Sequence, residues 1–107
     1  MSKIYYREKI IKLINDLFTQ TGDARSRIIR NEKNIQNTYL ASKSDEIPEK
    51  VRIIWDKYWN ELNSKNAIYL KDKTVVVNSM TSTLLSKKNK TMKKYLEFFL
   101  EEYYRVL

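Results

Sequence analysis

The sequence holds no cysteine and no histidine, one glycine and one proline. Each absence removes a class of explanation. Without cysteine there is no disulfide, no thiolate zinc cluster and no thiol nucleophile, and the chain suits a reducing compartment. Without histidine the commonest general base and metal ligand is gone, so no Ser-His, Cys-His or His-metal site can be built. A single glycine excludes the glycine-rich phosphate loops of both the GxxxxGK[ST] and GxGxxG kinds. So little glycine and proline also leaves few turns for a sheet made of many hairpins. Long apolar runs are missing too. No 18-residue stretch reads as a membrane span, and Met1 to Phe18 alternates charged with apolar side chains, unlike the core of a signal peptide. No membrane, metal or cofactor is expected, and the default setting is cytoplasmic.

What is present fits one packed domain. The 107 residues are 42% hydrophobic and 12% aromatic, too apolar for a chain kept disordered by its charge, and their number suits a single core. The fold expected is all-α, a compact bundle of four to five helices. Ile4, Ile11, Ile14 and Phe18 recur at helical intervals, widened by Ile10 and Leu17, and predict a helix from about Lys3 to Thr19. Gly22 suits the left-handed residue after a helix, and Asp23 suits the cap of the next. That second helix is expected from about Ala24 to Ser42, with Ala24, Ile28, Ile35 and Tyr39 on one face and Leu40 beside them. A loop follows to Ile47. Pro48 and Glu49 then suit a first helical turn. Val51, Ile54, Trp55, Tyr58 and Leu62 give the third helix its stripe, with Trp59 extending it.

Residues 67–77 read two ways. Ile68 to Leu70 can pair with Val75 to Val77 across Lys71, Asp72 and Lys73 in a small hairpin. Against that, Val76, Met80, Thr83 and Leu84 keep helical spacing and a lone ribbon is only marginally stable, which favours a fourth helix from about Thr74 to Lys87. The last helix is expected from about Lys90 to Val106, capped by Asn89 or Thr91. One of its faces carries Met92, Tyr95, Phe99, Tyr103 and Val106; Leu96, Leu100, Tyr104 and Leu107 add a second apolar stripe, as in a central or shared helix.

Twenty-one basic and thirteen acidic side chains leave a net charge of +8. The excess lies at the two ends of the chain. Its tightest cluster is Lys87, Lys88, Lys90, Lys93 and Lys94, around the start of the last helix, where cations oppose the helix dipole. A phosphate there would meet backbone donors and lysines together; the plain alternative is a solubilising, solvated patch. A second polar surface is the outer side of helix two, where Arg27, Arg30, Asn34, Asn37 and Thr38 recur at three- and four-residue spacing and are of types that can read base edges. Tyr5, Tyr6 and Tyr69 are conceivable stacking platforms for RNA bases.

Catalysis would have to rest on carboxylates, either Asp45, Glu46 and Glu49 or Glu97, Glu101 and Glu102, and both sets are better explained by helix-end and solvation effects. Asn89 to Thr91 match a glycosylation sequon, without consequence in the absence of a secretory signal. The functional expectation is a non-catalytic basic protein that binds nucleic acid or a nucleoprotein complex through lysine–phosphate contacts. The competing expectation is a protein-interaction module, either a homo-oligomer or a small regulator or inhibitor, using Leu100, Tyr104 and Trp59, since Tyr and Trp are enriched at interface hot spots.

Overall fold

A computed structural model describes residues 3–107, apart from the side chain of Val76. The chain runs α1 (Lys3–Thr19), α2 (Ala24–Arg30), α3 (Glu32–Ala41), α4 (Glu49–Leu62), β1 (Ile68–Tyr69), β2 (Val75–Val77), α5 (Ser79–Ser86) and α6 (Asn89–Val106). The fold is all-α, with one short hairpin inserted. α1 packs on α3 and α6, α2 on α5 and α6, and α4 on α3 and α5. None of these helices is long and apolar enough to cross a membrane.

Two features at the α1–α2 turn follow the sequence expectation. Gly22 has φ +108° and Asp23 accepts a hydrogen bond from Ser26 N at 2.8 Å, capping α2. A Cβ on Gly22 would stand 2.6 Å from Arg30 Nη2, which donates to the Thr21 carbonyl. Gly22→Ala therefore combines backbone strain with displacement of Arg30. We expect it to lower stability by about 1–2 kcal/mol, read as a lower urea midpoint at unchanged slope.

The sequence expectation of one continuous second helix is corrected: it breaks into α2 and α3 at Asn31. That residue is buried at φ −97°, ψ 17°, and its side-chain amide donates to the Gln20 side chain and to the Arg27 carbonyl, both at 2.8 Å. An asparagine that bonds back to its own preceding turn competes with the helical ladder. The fourth helix is corrected as well. It begins at Ser79, with Asn78 Oδ1 accepting from Thr81 N at 2.8 Å, and the preceding residues form the hairpin. The turn explains this outcome. Lys73 adopts φ 70°, Asp72 accepts from Thr74 N at 2.9 Å, and Leu70 N donates to Thr74 O at 2.8 Å. Ile68 pairs with Val77 and Tyr69 with Val75, so β2 takes two steps against one in β1. Three consecutive valines are stiff at χ1 and suit an extended backbone. The last helix begins one residue early: Lys88 occupies the N-cap position with no side-chain cap, and neither Asn89 nor Thr91 serves there.

The buried face of α1 differs from the expected stripe. Tyr6, Ile10, Leu13, Ile14 and Leu17 enter the core, while Ile4 and Phe18 are exposed. Ile54 and Leu40 are also exposed, whereas Val51, Trp55 and Leu62 are buried as expected. The centre of the core is aromatic. Trp55 meets Phe98 edge-on at 4.9 Å and lies along Phe99 at 5.8 Å, and Tyr58 stacks on Phe98 at 4.1 Å. A polar chain is threaded through it. Trp55 Nε1 donates to the Tyr6 hydroxyl at 2.8 Å, Tyr6 donates to Glu102 Oε1 at 2.6 Å, and Arg105 donates to both Glu102 oxygens at 2.9 and 3.1 Å. Each buried polar atom of this chain thus has a partner, which is the condition for holding it inside an apolar core.

Candidate nucleic-acid interface

The lysine cluster sits on the turn between α5 and α6 and on the first turns of α6. What fixes that turn is Arg25 of α2, whose Nε donates to Leu84 O at 3.0 Å and whose Nη2 donates to Lys87 O. One guanidinium thus satisfies two carbonyls at the end of α5 and ties them to α2. This residue was not singled out in the sequence. Its signal is only the position of an arginine near the start of a helix, and the contact partners lie about sixty residues away.

Around that turn the lysines are not equivalent. Lys94 reaches Glu61 Oε1 at 2.7 Å, and the same oxygen accepts from Tyr95 at 2.9 Å. Burial raises the Glu61 carboxyl, but the Lys94 ammonium and the Tyr95 hydroxyl outweigh it and hold the group below its ordinary range. Tyr95 is pushed the other way, first by burial and then by Glu61. Lys94 is thus largely engaged within the fold. Lys93 lies 3.7 Å from Glu97, but 80% of its side chain is exposed, so this pair holds it weakly. Lys88 and Lys90 are exposed and Lys87 is half-buried. The first turn of α6 carries no acidic residue and no side-chain cap. Lys87, Lys88, Lys90 and Lys93 therefore lie on the turn and the first turns of a helix whose N-terminus no side chain caps, although Thr91 N donates to Lys88 O at 3.0 Å. Such a group presents positive charge and directed N–H donors to the same region, and an anion suits both.

Arg27, Arg30 and Asn34 lie elsewhere, Arg27 and Asn34 bonding α1 and Arg30 the turn that follows it. Arg27 Nη1 donates to Leu17 O at 3.0 Å with its guanidinium 5.9 Å from the Phe18 ring centre. Arg30 closes the Gly22 turn. Asn34 donates to Asp16 Oδ2 and to Asn31 Oδ1, both at 2.8 Å. The Lys12 bond is the largest influence holding the Asp16 carboxyl below its ordinary range, and Asn34 adds to it. Thr38 is fully buried, bonding Asn34 O at 2.7 Å. Because the helix breaks at Asn31, Arg27 and Arg30 belong to α2 while Asn34, Asn37 and Thr38 belong to α3. The five side chains are thus divided between two helices; Arg27, Arg30, Asn34 and Thr38 bond within the fold, while Asn37 is exposed.

The tyrosines also separate. Tyr6 is fully buried and cannot stack on a base, whereas Tyr69 is exposed on the hairpin. Of the expected interface residues, Trp59 stacks on Tyr39 at 4.8 Å, Leu100 packs at the edge of the core, and Tyr104 is 64% exposed. The two carboxylate sets do not converge: Glu46 accepts from Lys3 N, and Glu102 belongs to the buried chain with Tyr6 and Arg105. No group of acids fit to hold a metal occurs among the described residues. No protein-family model, curated protein or solved structure matches the chain.

Proposed function

We propose that the chain is a non-catalytic binding protein that grips the phosphate backbone of nucleic acid through Lys87, Lys88, Lys90 and Lys93 at the start of α6, in a cytoplasmic setting. The observation that carries this reading is the occurrence of four lysines at the start of a helix that has no side-chain cap and no acid in its first turn. Left to itself, such a cluster is mildly unfavourable, because the lysines repel one another and oppose the dipole; a phosphate relieves both. Phosphate contacts of this kind carry no base sequence, so the binding is expected to be sequence-independent.

The test is a triple charge reversal. Lys87→Glu, Lys88→Glu and Lys90→Glu together are expected to weaken binding to labelled DNA or RNA by at least about a hundredfold at low salt, since they remove three phosphate partners and add three repulsive charges. The circular dichroism spectrum should stay that of the parent, because Lys88 and Lys90 are exposed and Lys87 is only half-buried. Lys94→Gln should weaken binding far less, as Lys94 is held by Glu61. Unchanged binding by the triple variant would leave the cluster as a solubilising patch.

A further inference from the structure

We propose that the hairpin holds unpaired bases, so that single-stranded nucleic acid lies along one basic path from the ribbon to the start of α6. This inference rests on the phosphate-binding reading and names its substrate class. Among the described residues the sheet consists of β1 and β2. Tyr69 pairs with Val75 across it, and both are more than half exposed. Cross-strand partners share a face, so the ring and the valine form one open apolar platform. Ile68 and Leu70 are more than half exposed as well.

The surroundings of the platform select its occupant. From Lys65 to Val77 three lysines stand against one aspartate, and Lys65 at the root and Lys71 and Lys73 at the tip are all exposed. Asp72 accepts from Thr74 N at 2.9 Å, which holds its carboxyl below its ordinary range and engages it in the turn. Lys73 stands at φ 70°, where glycine or asparagine is the ordinary choice, so a cation is kept at the tip in spite of backbone strain. A bilayer would meet this charged tip before any apolar side chain. A strand with unstacked bases offers a π-face to Tyr69 and phosphates to the lysines. In a duplex those base faces are covered, so the platform serves single strands. The ribbon is also joined to the lysine site. Lys65 N donates to Thr83 Oγ1 at 2.9 Å, and Thr83 lies one turn of α5 before Lys87, about 6 Å along the axis at 1.5 Å per residue. From Lys65 to Lys71 the chain adds at most about 20 Å at roughly 3.3 Å per residue. Glu61, the acid whose carboxyl feels Lys87, is already engaged by Lys94 and Tyr95.

Fluorescence anisotropy of the full chain with labelled oligo(dT), and with the same strand annealed to oligo(dA), tests this. The parent should bind the single strand about tenfold tighter than the duplex, an increment of the size that stacking one base supplies. Tyr69→Val keeps a strand former but removes the ring, and should abolish that preference, whereas Tyr69→Phe should retain it. Lys73→Gly removes a charge while suiting the φ of the turn. It should weaken oligo(dT) binding several-fold and make the salt slope shallower by about 0.7. A parent that binds both forms equally, or a Tyr69→Val variant with an undiminished preference, overturns the inference and leaves the phosphate-binding reading intact, because the triple charge reversal at Lys87, Lys88 and Lys90 reports on that reading separately. A parent that binds neither form overturns both. Vesicles containing phosphatidylserine serve as the competing surface. Attachment to them that depends on Tyr69, beside oligo(dT) binding that does not, overturns the inference equally.

Discussion

Trp55→Ala should lower the stability of the fold by about 3–5 kcal/mol, the range for deleting a large aromatic from a packed core. Trp55 is fully buried, it touches the rings of Phe98 and Phe99, and it donates the hydrogen bond that begins the polar chain through Tyr6. The substitution thus leaves a cavity between α4 and α6 and removes one of the two hydrogen-bond partners of a buried hydroxyl. A domain of this size has only about 5–15 kcal/mol in total, so the variant should be partly unfolded at physiological temperature or close to it. Urea titration followed by circular dichroism measures this. A loss under about 1 kcal/mol would mean that the indole is not at the centre of the core.

The second large effect concerns the polar chain itself. Tyr6→Phe should cost about 1–3 kcal/mol, because it leaves Trp55 Nε1 buried without an acceptor while Glu102 keeps Arg105. Glu102→Leu should cost a similar amount by stranding the Tyr6 hydroxyl proton. The double variant should cost less than the sum of the two, because no unpaired member of that bond then remains. Strict additivity would show that the Tyr6–Glu102 bond is not made. The chain also gives the fold a pH limit. Burial first, and then the bond to Glu102, raise the Tyr6 hydroxyl above its ordinary 10.0, and Tyr95 is raised by burial and Glu61. Groups raised in the folded state stabilise it fully below their unfolded value and lose that contribution as pH rises beyond it. Stability should therefore hold up to about pH 10 and fall above it, less steeply in Tyr6→Phe.

How much of this was legible in the sequence depended on whether the relevant physics was local. The bounds of α1 and the start of α4 were readable, because periodicity, Gly22, Asp23 and Pro48 act within a few residues. The choice of buried face on α1 was not. Its two apolar strips are both regular, and the partners that hold the Tyr6 hydroxyl inside, Trp55 and Glu102, lie forty-nine and ninety-six residues away. The break at Asn31 was hidden for a related reason, since an asparagine inside a helical pattern becomes a terminator only once its side chain finds Gln20. At the hairpin, short-range spacing pointed to a helix, and the turn at Asp72 and Lys73 with its three valines prevailed. For the lysine cluster, the sequence located the group but could not rank its members. Glu61 lies more than thirty residues from Lys94, and Arg25 farther still from Lys87, so neither the neutralised lysine nor the anchored turn leaves a local trace.

The proposed binding of phosphates by four lysines at the start of α6 is tested most directly by its dependence on salt. Fluorescence anisotropy with labelled duplex DNA, titrated at several salt concentrations, should give a plot of log affinity against log salt with a slope of about −3 to −4, as expected for about four neutralised phosphates at roughly −0.9 each. Absence of binding at low salt, or binding whose slope is near zero, would contradict the account.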